Sequence, residues 1–142
     1  MNPMPAAAHP IANPKTGIVT VPWQQWFAAF ATGGASASAW NEVASTVGFT
    51  NGWTNFGSVY GTAAFRFDAD GTVRLRGLIK SGTLNTAAFT LPAGFRPPSS
   101  RLFVAWANAT LASVEIDPSG AVIPNGGSNL SMTLDGITFS LV

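Results

Sequence analysis

Between Ala63 and Leu91 the chain reads AAFRFDADGTVRLRGLIKSGTLNTAAFTL, and this stretch restricts the fold more than any other. Two runs of period two, AAFRF and TVRLRGLIK, flank Asp68-Ala69-Asp70-Gly71, whose residues tolerate a tight reverse turn. The pattern predicts a β-hairpin. On its second strand Val73, Leu75 and Ile79, with Gly77 among them, point one way, while Arg74, Arg76, Leu78 and Lys80 point the other. A strand with one apolar and one cationic face belongs to an antiparallel sheet that packs one side on a core. The rest of the chain must supply the facing layer.

From Asn41 onward, short apolar-alternating runs recur between turn signals: EVASTVGF, SVYGTAAFRF, TVRLRGLIK, TAAFTL, RLFVAWAN, TLASVEI, AVIP, SNLSMTL and ITFSLV. About nine strands suit a sandwich or barrel. Asp117-Pro118-Ser119-Gly120 and Asp135-Gly136 predict two further reverse turns, and Pro92, Pro97 and Pro98 mark a connection excluded from the middle of a sheet. The expected fold is all-β, an antiparallel β-sandwich of jelly-roll-like type over residues 41–142, with 142 residues in all allowing one real core plus an appendage.

That appendage is residues 1–40, read as an attachment arm. Pro3, Pro5, Pro10 and Pro14 withhold backbone donors and favour extended chain. A short helix is expected at about residues 22–31: Thr20 can cap it, Pro22 suits its first turn, and Gly33-Gly34 stops it. Trp23, Trp26, Phe27 and Phe30 recur along one face of that helix, and so short a helix needs them buried against a partner. They are the candidate attachment residues. Residues 31–40, ATGGASASAW, read as a flexible linker.

Only 9% of residues are charged, against about 25% in an average soluble domain, while 46% are hydrophobic. The shortage predicts that some outer surface meets another chain; a weakly charged monomer is the alternative. A net charge of +1 without a basic run gives no sign of nucleic acid or an acidic membrane as partner. With no cysteine, disulfides and thiolate metal sites are excluded. The start, MNPMPAAAHP, lacks the features of a signal peptide, and no run approaches the ~20 apolar residues of a membrane span, so cytoplasmic synthesis without membrane insertion is expected.

Catalytic constellations are missing from the pattern. His9, the single histidine, sits among Ala and Pro with no carboxylate nearby, and the motifs G-x-S-x-G, H-E-x-x-H and Walker A are absent. Asp68, Asp70, Asp117 and Asp135 all fall where turns want them, and a calcium loop would need further ligands and a distal Glu. No enzyme activity, cofactor or metal is expected. The clustered charges Arg66, Arg74, Arg76 and Lys80 read as a solvated sheet face, or as a surface for an anionic glycan or a neighbouring subunit, with Asp68 or Glu115 to offset their repulsion. Trp53, Tyr60 and Trp106 are candidates for stacking on a sugar, or else core or interface residues.

Five stretches in order, Asn51-Gly52-Trp53-Thr54-Asn55-Phe56, AFRFDADGTVRLRGLIKSGT, FTLPAGFRPPSS, VEIDPSGAV and NLSMTLDGITF, resemble the C-terminal domain of tailed-phage tail fibres and related virion proteins. The resemblance runs through roughly residues 41–142; NPKTG followed by PWQQWF is similar to the attachment ends of small phage tail proteins. It implies an antiparallel sandwich, a homotrimer, a place in the virion, contact with other virion proteins through the arm, and recognition of a host-surface glycan or protein without catalysis. Members commonly carry the domain behind a long shaft, whereas about forty residues precede it here. A compact spike, a short fibre, a capsid or tail decoration protein without a receptor role, or a free carbohydrate-binding module therefore stay open.

Overall fold

The computed structural model describes residues 36–142, and residues 37–142 form one compact unit. The predicted helix at about residues 22–31, its aromatic residues and His9 lie outside the described residues. Eleven short strands make up the unit: β1 (Asn41–Glu42), β2 (Thr54–Asn55), β3 (Ala64–Phe67), β4 (Val73–Arg76), β5 (Leu78–Lys80), β6 (Phe89–Thr90), β7 (Arg101–Ala107), β8 (Thr110–Ile116), β9 (Ala121–Asn125), β10 (Met132–Thr133) and β11 (Thr138–Phe139). A single helical turn, α1 (Val43–Thr46), follows β1.

The strands form three antiparallel sheets, ordered β1-β3-β4-β11, β10-β5-β2 and β6-β9-β8-β7. The hairpin read from the sequence is present: Phe65 faces Leu75 and Phe67 faces Val73 across β3 and β4, and the Asp68 amide donates to the Thr72 carbonyl at 2.8 Å to close the turn. Val73, Leu75 and Ile79 are buried, and the alternate residues are not. The fold is an antiparallel β-sandwich, as expected.

The run TVRLRGLIK is one strand in sequence but two in structure. At Gly77 the backbone turns to φ 109°, and the chain passes from the first sheet into the second. A side chain there would be blocked as well as strained, since a Cβ would lie 2.5 Å from the Thr62 carbonyl and 2.6 Å from the Ala63 backbone. The bend is pinned by Asp135, whose Oδ1 accepts the Gly77 amide at 2.8 Å, and by the Leu134 amide, which donates to the Gly77 carbonyl at 2.8 Å.

Inward residues of all three sheets meet in one core. Phe65, Val73 and Leu75 come from the first, Ile79 and Met132 from the second, and Phe89, Val114, Ile116 and Val122 from the third. Phe103 on β7 and Phe139 on β11 meet across the gap at 6.3 Å. The Pro-rich connection after β6 stays out of the sheets, as its prolines require, and carries Phe95 onto the edge of Phe65 at 5.0 Å and the face of Phe67 at 4.2 Å. β7 and β8 pair over seven residues through a two-residue turn, Asn108-Ala109, with φ of 44° and 66°. Those positive angles match the twist of a tight hairpin.

Two expectations are corrected. EVASTVGF, read as a strand, is β1 followed by α1: only Val43 among residues 43–46 is buried, and the Gly48 amide closes the turn on the Val43 carbonyl at 2.7 Å. SVYGTAAFRF forms a strand only over its last four residues, because Gly57 and Ser58 both adopt positive φ and the chain loops outward at Val59 and Tyr60.

Candidate binding surface

The three aromatic candidates separate by exposure. Trp53 is 2% exposed, and its indole N–H donates to the Thr83 carbonyl at 3.2 Å. It is a core residue, so its place among the surface candidates is corrected: Gly82 lies flat against the ring and seals it. Tyr60 and Trp106 are 54% and 56% exposed and line one cleft of about 400 Å³ together with Leu78, Asn108, Ser131, Thr133 and Asp135.

Four segments build this cleft. Tyr60 ends the outward loop and rests edge-on against Phe56 at 5.1 Å, while the Leu78 amide ties Gly61 to β5 at 3.1 Å. Trp106 points outward because β7 alternates, its neighbours Ala105 and Ala107 being buried. The tight turn after β7 presents Asn108, whose backbone N–H donates to the Ser131 hydroxyl at 3.0 Å. From below come Thr133 on β10 and Asp135, with the Asp135 amide donating to the Thr133 hydroxyl at 3.2 Å.

Two aromatic walls, an amide, two hydroxyls and a carboxylate suit a ligand with an apolar flank and several hydroxyl groups. Asn108, Ser131 and Thr133 were not legible as site residues, and Asp135 read only as a turn residue. No periodic signal marks them, because the topology alone assembles them from distant segments.

Each arginine of the cluster has a carboxylate partner, while the buried Arg76 Nε makes no hydrogen bond of its own. Arg66 and Arg74 bind Asp68 at 3.0 and 2.5 Å, and Arg76 binds Glu42 at 2.7 Å. Trp40, the last residue of the expected linker, stands under two of them, with Arg66 4.3 Å and Arg76 4.4 Å from its ring centre. Lys80 lies over Phe56 at 4.9 Å. Ser38 bonds Phe67 through both its amide and its hydroxyl, so sheet-directed hydrogen bonding begins ahead of Asn41.

The carboxylates behave as turn and ion-pair groups. Asp70 accepts from the Thr72 hydroxyl and amide, which lowers its pKa from the ordinary value. Asp117 accepts from the Ser119 hydroxyl first and then from backbone amides of its turn, and its pKa is also lowered despite slight desolvation. Among the described residues no group of three His, Cys, Asp or Glu side chains comes together as a metal site, and no helix is long and apolar enough to cross a membrane.

No family model matches the chain, and no curated protein matches it. Its structure is similar to the crystal structure of the receptor binding protein of Listeria phage PSA, with a TM-score of 0.63 over 84% of this chain and 79% of that one. The two share a fold. At 20% identity the likeness is one of architecture, not of side chains.

Proposed function

We propose that this chain is a structural protein of a tailed-phage virion, of tail-fibre or spike type, whose sandwich contacts the host surface. The observation that carries the reading is the sandwich shared with a phage receptor binding protein over most of both chains. In this reading residues 1–40 attach the protein to other virion components through Trp23, Trp26, Phe27 and Phe30, and the chain assembles as a homotrimer. The cleft of Tyr60 and Trp106 takes a host-surface glycan, stacking a sugar face on the aromatics and bonding its hydroxyls to Asn108, Ser131, Thr133 and Asp135. The role is binding, without catalysis.

Immunogold labelling of purified phage particles that carry the chain, together with staining of host cells by the fluorescently labelled full-length protein, tests this. Label on the particle and stain on the cell, reduced in Tyr60→Ala, are expected. Unlabelled particles and unstained cells overturn the proposal.

A further inference from the structure

The cleft of Tyr60 and Trp106 carries one charge. Asp135 is exposed and is the one charged side chain among the lining residues; the others are aromatic, aliphatic, amide or hydroxyl. Its Oδ1 accepts the Gly77 amide at 2.8 Å, which fixes the carboxylate at the bend between β4 and β5. Among the described residues no hydrogen bond goes to its Oδ2, and Asp135 enters none of their ion pairs. An ionised carboxylate is acceptor-only, so that oxygen is open to a donor from outside the chain.

The cations of the fold are engaged elsewhere. Arg66, Arg74 and Arg76 hold Asp68 and Glu42, and Arg96 Nε donates to the Leu91 carbonyl at 2.8 Å. Arg101 stands five residues from Trp106, about 17 Å along β7. Lys80 lies three residues and about 10 Å along β5 from Gly77, with its ammonium over Phe56. A ligand that covers the cleft strips water from Asp135. A sugar hydroxyl compensates only part of that loss, whereas a cationic donor makes a charge-assisted bond and restores the balance of charge.

We infer that the cleft selects a sugar carrying a free amine. Its ammonium, in place of one hydroxyl, binds Asp135, and the ring lies on Tyr60 and Trp106, whose π faces attract the same positive charge. This rests on the glycan-binding reading above and names the class of glycan. Phosphorylated or carboxylated sugars are disfavoured in this cleft, because their charge would meet Asp135 with no cation among the lining residues.

Isolated host envelopes, either untreated or treated with acetic anhydride in water to acetylate free amines, are titrated with fluorescently labelled full-length protein and with full-length Asp135→Asn. The asparagine oxygen can still accept the Gly77 amide. Wild type is expected to bind treated envelopes roughly ten-fold or more weakly than untreated ones, the loss of one charge-assisted bond. Asp135→Asn should bind untreated envelopes as weakly, and treatment should change its binding little. Equal wild-type binding to both preparations overturns the free amine but leaves the glycan reading standing. Binding to neither overturns both. An Asp135→Asn protein that matches wild type on untreated envelopes, or loses as much on treatment, overturns the role of Asp135. A readout without a variant is competition on untreated envelopes: glucosamine oligomers are expected to displace wild type at roughly ten-fold lower concentration than their N-acetylated counterparts, and equal potency counts against the inference.

Discussion

Arg66 and Arg74 face each other as direct partners across β3 and β4, and the one carboxylate of Asp68 holds both guanidinium groups, one on each oxygen. Like charges at directly opposed positions repel, so the hairpin depends on the residue that opens its turn. Asp68→Asn is expected to destabilise the domain by about 1–2 kcal/mol in urea denaturation at low ionic strength. Added salt screens the exposed pair and reduces the loss. Arg74→Thr in the same chain should recover part of it, and a double variant as unstable as Asp68→Asn alone would count against the account.

Gly82 is required for its size. Its φ is ordinary, yet a Cβ there would sit 2.1 Å from the Trp53 indole, which is packed in the core and cannot withdraw. Gly82→Ala is expected to cost about 3 kcal/mol or to displace the ring. Denaturation followed by tryptophan fluorescence reads both effects, and an unchanged midpoint would refute the close packing.

Asp117 gives the turn between β8 and β9 a pH dependence. Its folded pKa lies below the ordinary 3.8, chiefly through the Ser119 hydroxyl, so its contribution is complete above that value and is lost as pH falls through the folded pKa. Asp117→Ala should lower Tm by a few degrees at neutral pH. The gap from wild type should close as the pH is taken below about 4. A gap that stays constant into acid would remove the carboxylate from the explanation.

Tyr60→Ala separates binding from folding. The side chain is half exposed and touches Phe56 edge-on, so the loss of stability should stay near 1 kcal/mol or less. Host-cell binding should fall roughly ten-fold or more if the ring is a stacking wall. Full binding by a folded Tyr60→Ala protein would move the host contact elsewhere.

The parts legible in sequence are those where local pattern and tertiary demand coincide. The hairpin at Asp68 to Gly71 is readable because strict alternation and turn chemistry agree, and the same holds for β7, β8 and the Asp117 turn. β2 is not readable, since two residues carry no period. The helical turn at Val43 was hidden because one buried valine in four residues fits either structure. Gly77 was visible as a glycine inside a strand, but its neighbours alternate so cleanly across it that the change of sheet leaves no mark. At the site, the sequence pointed to Tyr60 and Trp106 as aromatics and equally to Trp53. Only the fold, by pressing Gly82 on one ring and pushing another out on a loop, sorts them.

The two hydrogen bonds between Ser38 and Phe67 also bear on where load from an N-terminal tether enters the domain. In a chain anchored by its N-terminal end, as proposed, a pull entering at Ser38 is handed to Phe67, spreads over the rungs of the hairpin, and travels along the continuous backbone through Gly77 to rungs held by β2 and β10. In that reading Ser38, not Asn41, is the first residue at which load from the tether meets the folded unit.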